Sequence, residues 1–171
     1  MLTAARFNRE TYLELKGDKT ATGQAVAAAF VACLSYSIGH AFLVEPLALD
    51  SILIGILAQL IISLGILLGW SITVFLIGTK LFKGKATFWE MARPFFFATS
   101  PFTLFILVGL PIHYVVDYVD LVDGLIVAVG AVWGVLTGLA ALKSAMGFDY
   151  NRAMLTYIVG WLSIIAILSF V

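Results

Sequence analysis

The stretch Gly78–Pro111, GTKLFKGKATFWEMARPFFFATSPFTLFILVGLP, decides how the rest of the chain is read. Thr87 and Glu90 have the spacing of a capping box, a hydroxyl at the N-cap and a carboxylate three residues on, which predicts a helix starting at Phe88. Helical spacing gathers Phe88, Met91, Ala92 and Phe95 on one side and lets Glu90 and Arg93 pair on the other. Pro94 and Pro101 each lack a backbone donor, and Pro111 closes the stretch. The expectation is a short amphipathic helix at a membrane surface that turns, at Pro94, into a span kinked at Pro101. Thr99, Ser100 and Thr103 surround the kink and can satisfy the carbonyls it frees.

Composition sets the solvent. Of 171 residues, 62% are hydrophobic and 12% charged, with mean hydropathy +1.07. A soluble domain carries about 25% charged residues, so the chain is expected to be an integral membrane protein. Cys33 is the single cysteine, which excludes an intramolecular disulfide and a cysteine-based metal cluster. Residues 1–21 are polar and precede an apolar run long enough to span, so no secretory signal is expected. Within them Asn8 can cap a short interfacial helix from Arg9 to Lys16, closed by Gly17.

Five apolar runs give spans at about 22–44, 51–79, 95–112, 124–142 and 153–171. The first has a smooth side of Ala25, Ala28, Ala32, Ser35 and Gly39, which lets another backbone come close. The second, at 1.5 Å per residue, is about 43 Å long against a hydrocarbon core of about 30 Å. Cut at Gly65 it would leave halves too short to cross, so a single long, tilted helix is expected. Gly65 and Gly69 form a small-xxx-small pair on it. The fourth carries Gly130, Gly134 and Gly138 in continuous four-residue register, a face for packing within the bundle or against a partner. The fold expected is an all-α membrane bundle of five spans with a short surface helix before the third. Residues 1–21 form the N-terminal segment and residues 22–171 the membrane domain.

The charges orient it. The N-terminal segment, the second-to-third connection and the fourth-to-fifth connection hold all ten Lys and Arg residues, and five spans bring them to one side. The opposite side carries Glu45, Asp50, Asp117, Asp120 and Asp123 without a single Lys or Arg. The positive-inside rule then gives a cytoplasmic N-terminus, an outer C-terminus and residence in the cell (inner) membrane.

With the spans in place the chain resembles a Yip1-domain protein. The stretches that carry the likeness are TATGQA at Thr20–Ala25, GTKLFKGKATFWEMARPFFFATSP at Gly78–Pro101 and AVWGVLTGLAALKSAMGFDYNRA at Ala131–Ala153. They occur in the family's order over nearly the whole chain, and the short form is similar to prokaryotic members. The resemblance implies a five-helix plan. Eukaryotic members of the family are associated with Golgi and endoplasmic reticulum membranes, vesicle traffic, membrane shaping and prenylated small GTPases of the Rab type. A small-GTPase partner follows from that analogy alone, and the long cytosolic N-terminal region usual in the family is not found in this chain.

Candidate sites are few. Lys80, Lys83, Lys85 and Arg93 form a juxtamembrane basic group suited to anionic headgroups or a cytoplasmic partner, at about 1 kcal/mol per residue. The same charges can serve topology alone. His113 and Asp117, four residues apart, are a weak metal candidate beside an acidic outer loop. No charge lies centrally in a span, and no phosphate loop, HExxH or GxSxG motif occurs. The reading is a non-enzymatic protein without cofactor or nucleic-acid partner. It organises membrane lipids and other membrane proteins as a scaffold, as an accessory subunit of a larger complex, or as a homo-oligomer. A small-solute or lipid transporter with an aperture near Pro101 is the alternative of a different class.

Overall fold

The computed structural model describes residues 9–43, 49–109 and 119–169, and within them every regular element is a helix, with no strand. The order is α1 (Arg9–Gly17), α2 (Thr22–Leu43), α3 (Leu49–Leu76), α4 (Phe88–Phe97), a 3₁₀ helix (Ser100–Gly109), α5 (Val119–Met146) and α6 (Tyr150–Leu168). Among the described residues, four segments are long and apolar enough to cross a membrane: Lys19–Ala41, Ile52–Leu81, Gly124–Met146 and Tyr150–Ile167. α3 is continuous through Gly65 and ends in a π turn, Ile77–Leu81.

The expected third span is not one helix. α4 continues three residues beyond Pro94, with the Ala98 N–H donating to the Pro94 carbonyl at 3.0 Å, and then gives way to the 3₁₀ helix around Pro101. Proline at 101 removes the donor that an α-helix would need there. Hydroxyls bond to carbonyls on both sides of the break: Thr99 Oγ1 donates to Phe96 O at 2.6 Å, and Thr103 Oγ1 to Ser100 O at 2.7 Å. A third hydroxyl comes from α5, where Thr137 Oγ1 donates to Ala98 O at 2.8 Å.

This broken element lies at the centre of the bundle. α4 touches α1, α2, α3 and α5, and the 3₁₀ helix lies between α2 and α5. From Met91 through Ser100 every residue is buried, so beyond its first turn α4 has no face left for a membrane surface. The three consecutive phenylalanines Phe95–Phe97 broaden its apolar side and leave Glu90 and Arg93 as its only charges, and a helix with so broad an apolar side belongs in a core. The small side of α2 meets this element: Ala25, Ala28 and Ala32 are buried, and Gly39 sits against the Phe105 carbonyl, leaving no room for a Cβ. α5 runs antiparallel to the same element. Gly130 faces the Phe105 ring, Gly134 the Phe102 ring, and Thr137 the Ala98 carbonyl.

Candidate functional site

The basic segments come together at one end of the bundle. The capping box forms as its spacing predicts: the Thr87 N–H donates to Glu90 Oε2 at 2.7 Å and fixes the start of α4. That bond holds the Glu90 carboxyl below the usual carboxylate range, with Lys16 and Arg93 adding to it. Arg93, one turn on, neither pairs with Glu90 nor reaches the surface. It is 4% exposed, and its Nη1 donates to Leu15 O at 3.2 Å and Lys16 O at 2.8 Å, the last carbonyls of α1. A cation at a helix C-terminus meets both orphan acceptors and the negative end of the dipole. Arg93 is therefore withdrawn from the basic group expected at the surface and becomes the clamp that seats α1 on α4.

α1 is built to be seated. Tyr12 is fully buried, and burial pushes its phenol above its ordinary range. Asp18 accepts from the Thr20 N–H at 2.8 Å and from Thr20 Oγ1 at 2.6 Å, turning the chain into α2 and lowering the Asp18 carboxyl.

The loop after α3 folds back on the α5–α6 connection. Gly84 N–H donates to Gly78 O at 2.8 Å, and Lys85 N–H to Met146 O at 3.4 Å. A Cβ at Gly84 would come within 2.8 Å of Met146 Sδ and 2.9 Å of the Phe148 ring, so the turn needs glycine there. Lys83 beside it has φ 57°, a left-handed conformation that side chains rarely adopt. Lys80, Lys83 and Lys85 are all exposed. Lys143 and Arg152 are exposed on the neighbouring connection, with Lys143 Nζ 5.9 Å from the centre of the Tyr150 ring. The local result is a basic surface with α1 lying across its core.

The two glycine sets behave differently. Cβ atoms on Gly130, Gly134 and Gly138 would meet Phe105 at 2.9 Å, Phe102 at 2.8 Å and Tyr157 at 2.6 Å, so this register seats aromatic rings within the chain. On α3, Gly69 faces Ile164 of α6 at 3.5 Å, whereas a Cβ on Gly65 would meet nothing within 4 Å. Large apolar side chains share that open side of α3, among them Ile61, Leu68 and Ile72. His113 and Asp117 lie outside the described residues, and among those described no three His, Cys, Asp or Glu side chains converge. Thr137 and the destination of Arg93 were not reached from sequence. A threonine in an otherwise apolar helix is the local signal for the first.

The model of the family described as the Yip1 domain matches residues 5–171, and the chain belongs to that family. No curated protein and no solved structure matches it.

Proposed function

We propose that this Yip1-domain chain is a non-catalytic membrane scaffold that holds a partner membrane protein against α3 and anionic lipid at its basic end. The observation that carries the reading is the unequal burial of the long helices. In the most apolar stretch of α3 only 11% of residues are buried within the chain, against 44% for α2 and 39% for α5. A small residue with open space before it, Gly65, lies on that exposed side, where close backbone approach is the main source of helix association in lipid.

The same reading has five crossings, with residues 22–171 as the membrane domain and residues 1–21 as a cytoplasmic segment. α4 and the 3₁₀ helix together make the third crossing. At 1.5 and 2.0 Å per residue they extend about 15 and about 20 Å, enough for a core of about 30 Å. Their antiparallel register with α5, from Gly130–Phe105 to Thr137–Ala98, supports a crossing rather than a surface loop. Clustering of the exposed lysines at one end supports a cytoplasmic N-terminus and an outer C-terminus in the cell membrane.

Native mass spectrometry on protein released gently from its own membrane tests the partner. The expected result is a stoichiometric complex, a larger assembly or a homo-oligomer, that Gly65→Leu dissolves while the variant itself stays folded. A monomer in both cases overturns the scaffold reading. Solute flux above that of empty proteoliposomes would replace it by transport. For the basic end, reversing the charge of Lys80, Lys83 and Lys85 should abolish binding to anionic vesicles. Unchanged binding removes the lipid role and leaves those charges to topology.

A further inference from the structure

The 3₁₀ helix, Ser100–Gly109, is ten residues long, and 3₁₀ runs beyond three or four residues are uncommon. Its register with α5 accounts for the persistence. Phe102 seats on Gly134 and Phe105 on Gly130. In a 3₁₀ helix residues three apart eclipse and rise about 6 Å, and four residues of α5 also rise about 6 Å, so both rings meet their glycines. In an α-helix Phe105 would turn about 60° away from the line of Phe102 and rise only about 4.5 Å above it, so the two rings would not both seat. Phe105 is held from its other side as well. Gly39 of α2 closes on its carbonyl, and the Tyr36 ring stands 5.3 Å from its own.

The sequence of the segment favours the other helix. Ser100 and Pro101 have the pattern of an α-helix start, a hydroxyl at the N-cap and a proline at the first helical position, where a missing N–H costs nothing. As an N-cap, Ser100 Oγ would accept from the Phe102 or Thr103 N–H. In the 3₁₀ form it does not. The Phe102 N–H donates to Thr99 O at 2.9 Å, and Ser100 Oγ is buried without a hydrogen-bond partner among the described residues. A buried hydroxyl left unpaired is unfavourable, so the seated rings and the orphaned hydroxyl pull the segment toward different helices. The two differ in length. Ten residues extend about 20 Å as 3₁₀ and about 15 Å as α, which makes the element with α4 about 35 or about 30 Å long.

We propose, resting on the third crossing that α4 and the 3₁₀ helix make, that Ser100–Gly109 is a two-state element that responds to bilayer thickness. It is 3₁₀ with both rings seated in a thick bilayer, and α, capped by Ser100, in a thin one. Each ångström of mismatch between a span and the hydrocarbon carries a small cost, and about 5 Å of it biases two forms of similar stability. Conversion takes Phe105 off Gly130 and away from Gly39, which loosens the contact that α2 and α5 share through it.

Double electron–electron resonance tests this on the full chain carrying Cys33→Ala, with spin labels attached through Trp89→Cys and Ile106→Cys, both exposed positions. The labelled protein is reconstituted in dimyristoyl- and in dierucoylphosphatidylcholine, a thin and a thick bilayer. The distance should be about 3 Å shorter in the thin one, the difference over the six steps from Ser100 to Ile106. Ser100→Ala removes the α cap and the orphaned hydroxyl together, and should hold the long distance in both bilayers. Gly130→Ala, whose Cβ would stand 2.9 Å from the Phe105 ring, should hold the short one in both. Should Gly130→Ala not insert, the parent and Ser100→Ala decide. Equal distances for the parent in the two bilayers would overturn the proposal, and so would a thickness response undiminished in Ser100→Ala. Relaxation of the Ile106 label by oxygen and by a water-soluble nickel chelate separates the switch from the crossing. A label reached by nickel rather than oxygen overturns both, and a label deep in the bilayer without a thickness response overturns the switch alone.

Discussion

Gly134→Ala is the sharpest probe of how this bundle is held together. The added Cβ would stand 2.8 Å from Phe102 Cζ and 3.0 Å from Cε2, against a comfortable carbon–carbon separation of about 3.5–4.0 Å. Phe102 must retreat by most of an ångström, and it sits on the 3₁₀ helix with its ring 5.8 Å from that of Phe105, which itself covers Gly130. Overpacking of this kind costs about 1–3 kcal/mol. The matched control is Gly65→Ala, where nothing lies within 4 Å of the new atom. Exchanging glycine for alanine in an open helical site is neutral or stabilising, by up to about 1 kcal/mol. Both variants can be measured in mixed micelles by denaturing-detergent titration, following tryptophan fluorescence. Shortening the ring in the background, Phe102→Leu, should relieve the clash and reveal a coupling of about 0.5–3 kcal/mol with Gly134→Ala. Equal stability of Gly134→Ala and Gly65→Ala, or no coupling to Phe102, would refute the idea that the α5 glycines seat rings of the broken helix.

Arg93→Met keeps most of the side chain's volume but strips two carbonyls of their donor. Hydrogen bonds to charged groups contribute about 1.5–3 kcal/mol, so α1 should open locally by that order, seen as faster amide exchange over Arg9–Gly17 with α5 and α6 unchanged. Unaltered exchange in α1 would mean the clamp contributes nothing. Acid should weaken the same end. Glu90 has its folded-state pKa lowered, so its contribution is complete above the unfolded value of about 4.3 and is lost as pH falls through the lower folded value. Asp18 acts in the same sense. Exchange protection around Phe88 should therefore be flat from pH 7 to about 5 and fall below about 4. Glu90→Gln, which can still accept from the Thr87 N–H, should flatten that fall, and a wild-type profile without it would contradict the cap.

What the sequence made legible was whatever depends on local spacing. Thr87 and Glu90 start α4 because the reciprocal bonds of a capping box are made within four residues. The uninterrupted run through Gly65 is a continuous α3 because cutting it there would strand two halves that cannot cross. Pro101 marks where α-helical bonding stops, since a missing donor is a property of one residue. The rest depends on which elements become neighbours. Arg93 reaches Lys16 across 77 positions, and no spacing rule connects a guanidinium to the end of a helix that far upstream. Thr137 serves Ala98 from 39 positions away. The burial of α4 belongs with these, because Glu90 and Arg93 give its pattern a polar side and only the position of α1 turns Arg93 inward.

α3 presents two unlike faces. At 100° per residue Gln59, Ser63 and Trp70, which line a cleft beside α2 and α6, lie within about 40° of one another, while Gly65 lies about 140° round from their mean. On Gly65's side are Ile61, Leu68 and Ile72, all exposed, and on the cleft side the helix turns toward α2 and α6. The α5 glycines are committed to Phe102, Phe105 and Tyr157, and the small side of α2 is committed to the broken helix. Among these small-residue surfaces of the described helices, the Gly65 face of α3 is the one still open. A helix that meets its own bundle on one face and a second protein on the other transmits between them only if it shifts as a rigid rod. Substitutions at Gly65 and Gln59 are then separable if α3 is fixed and coupled if it moves, which makes their double mutant a direct measure of whether the proposed scaffold is passive.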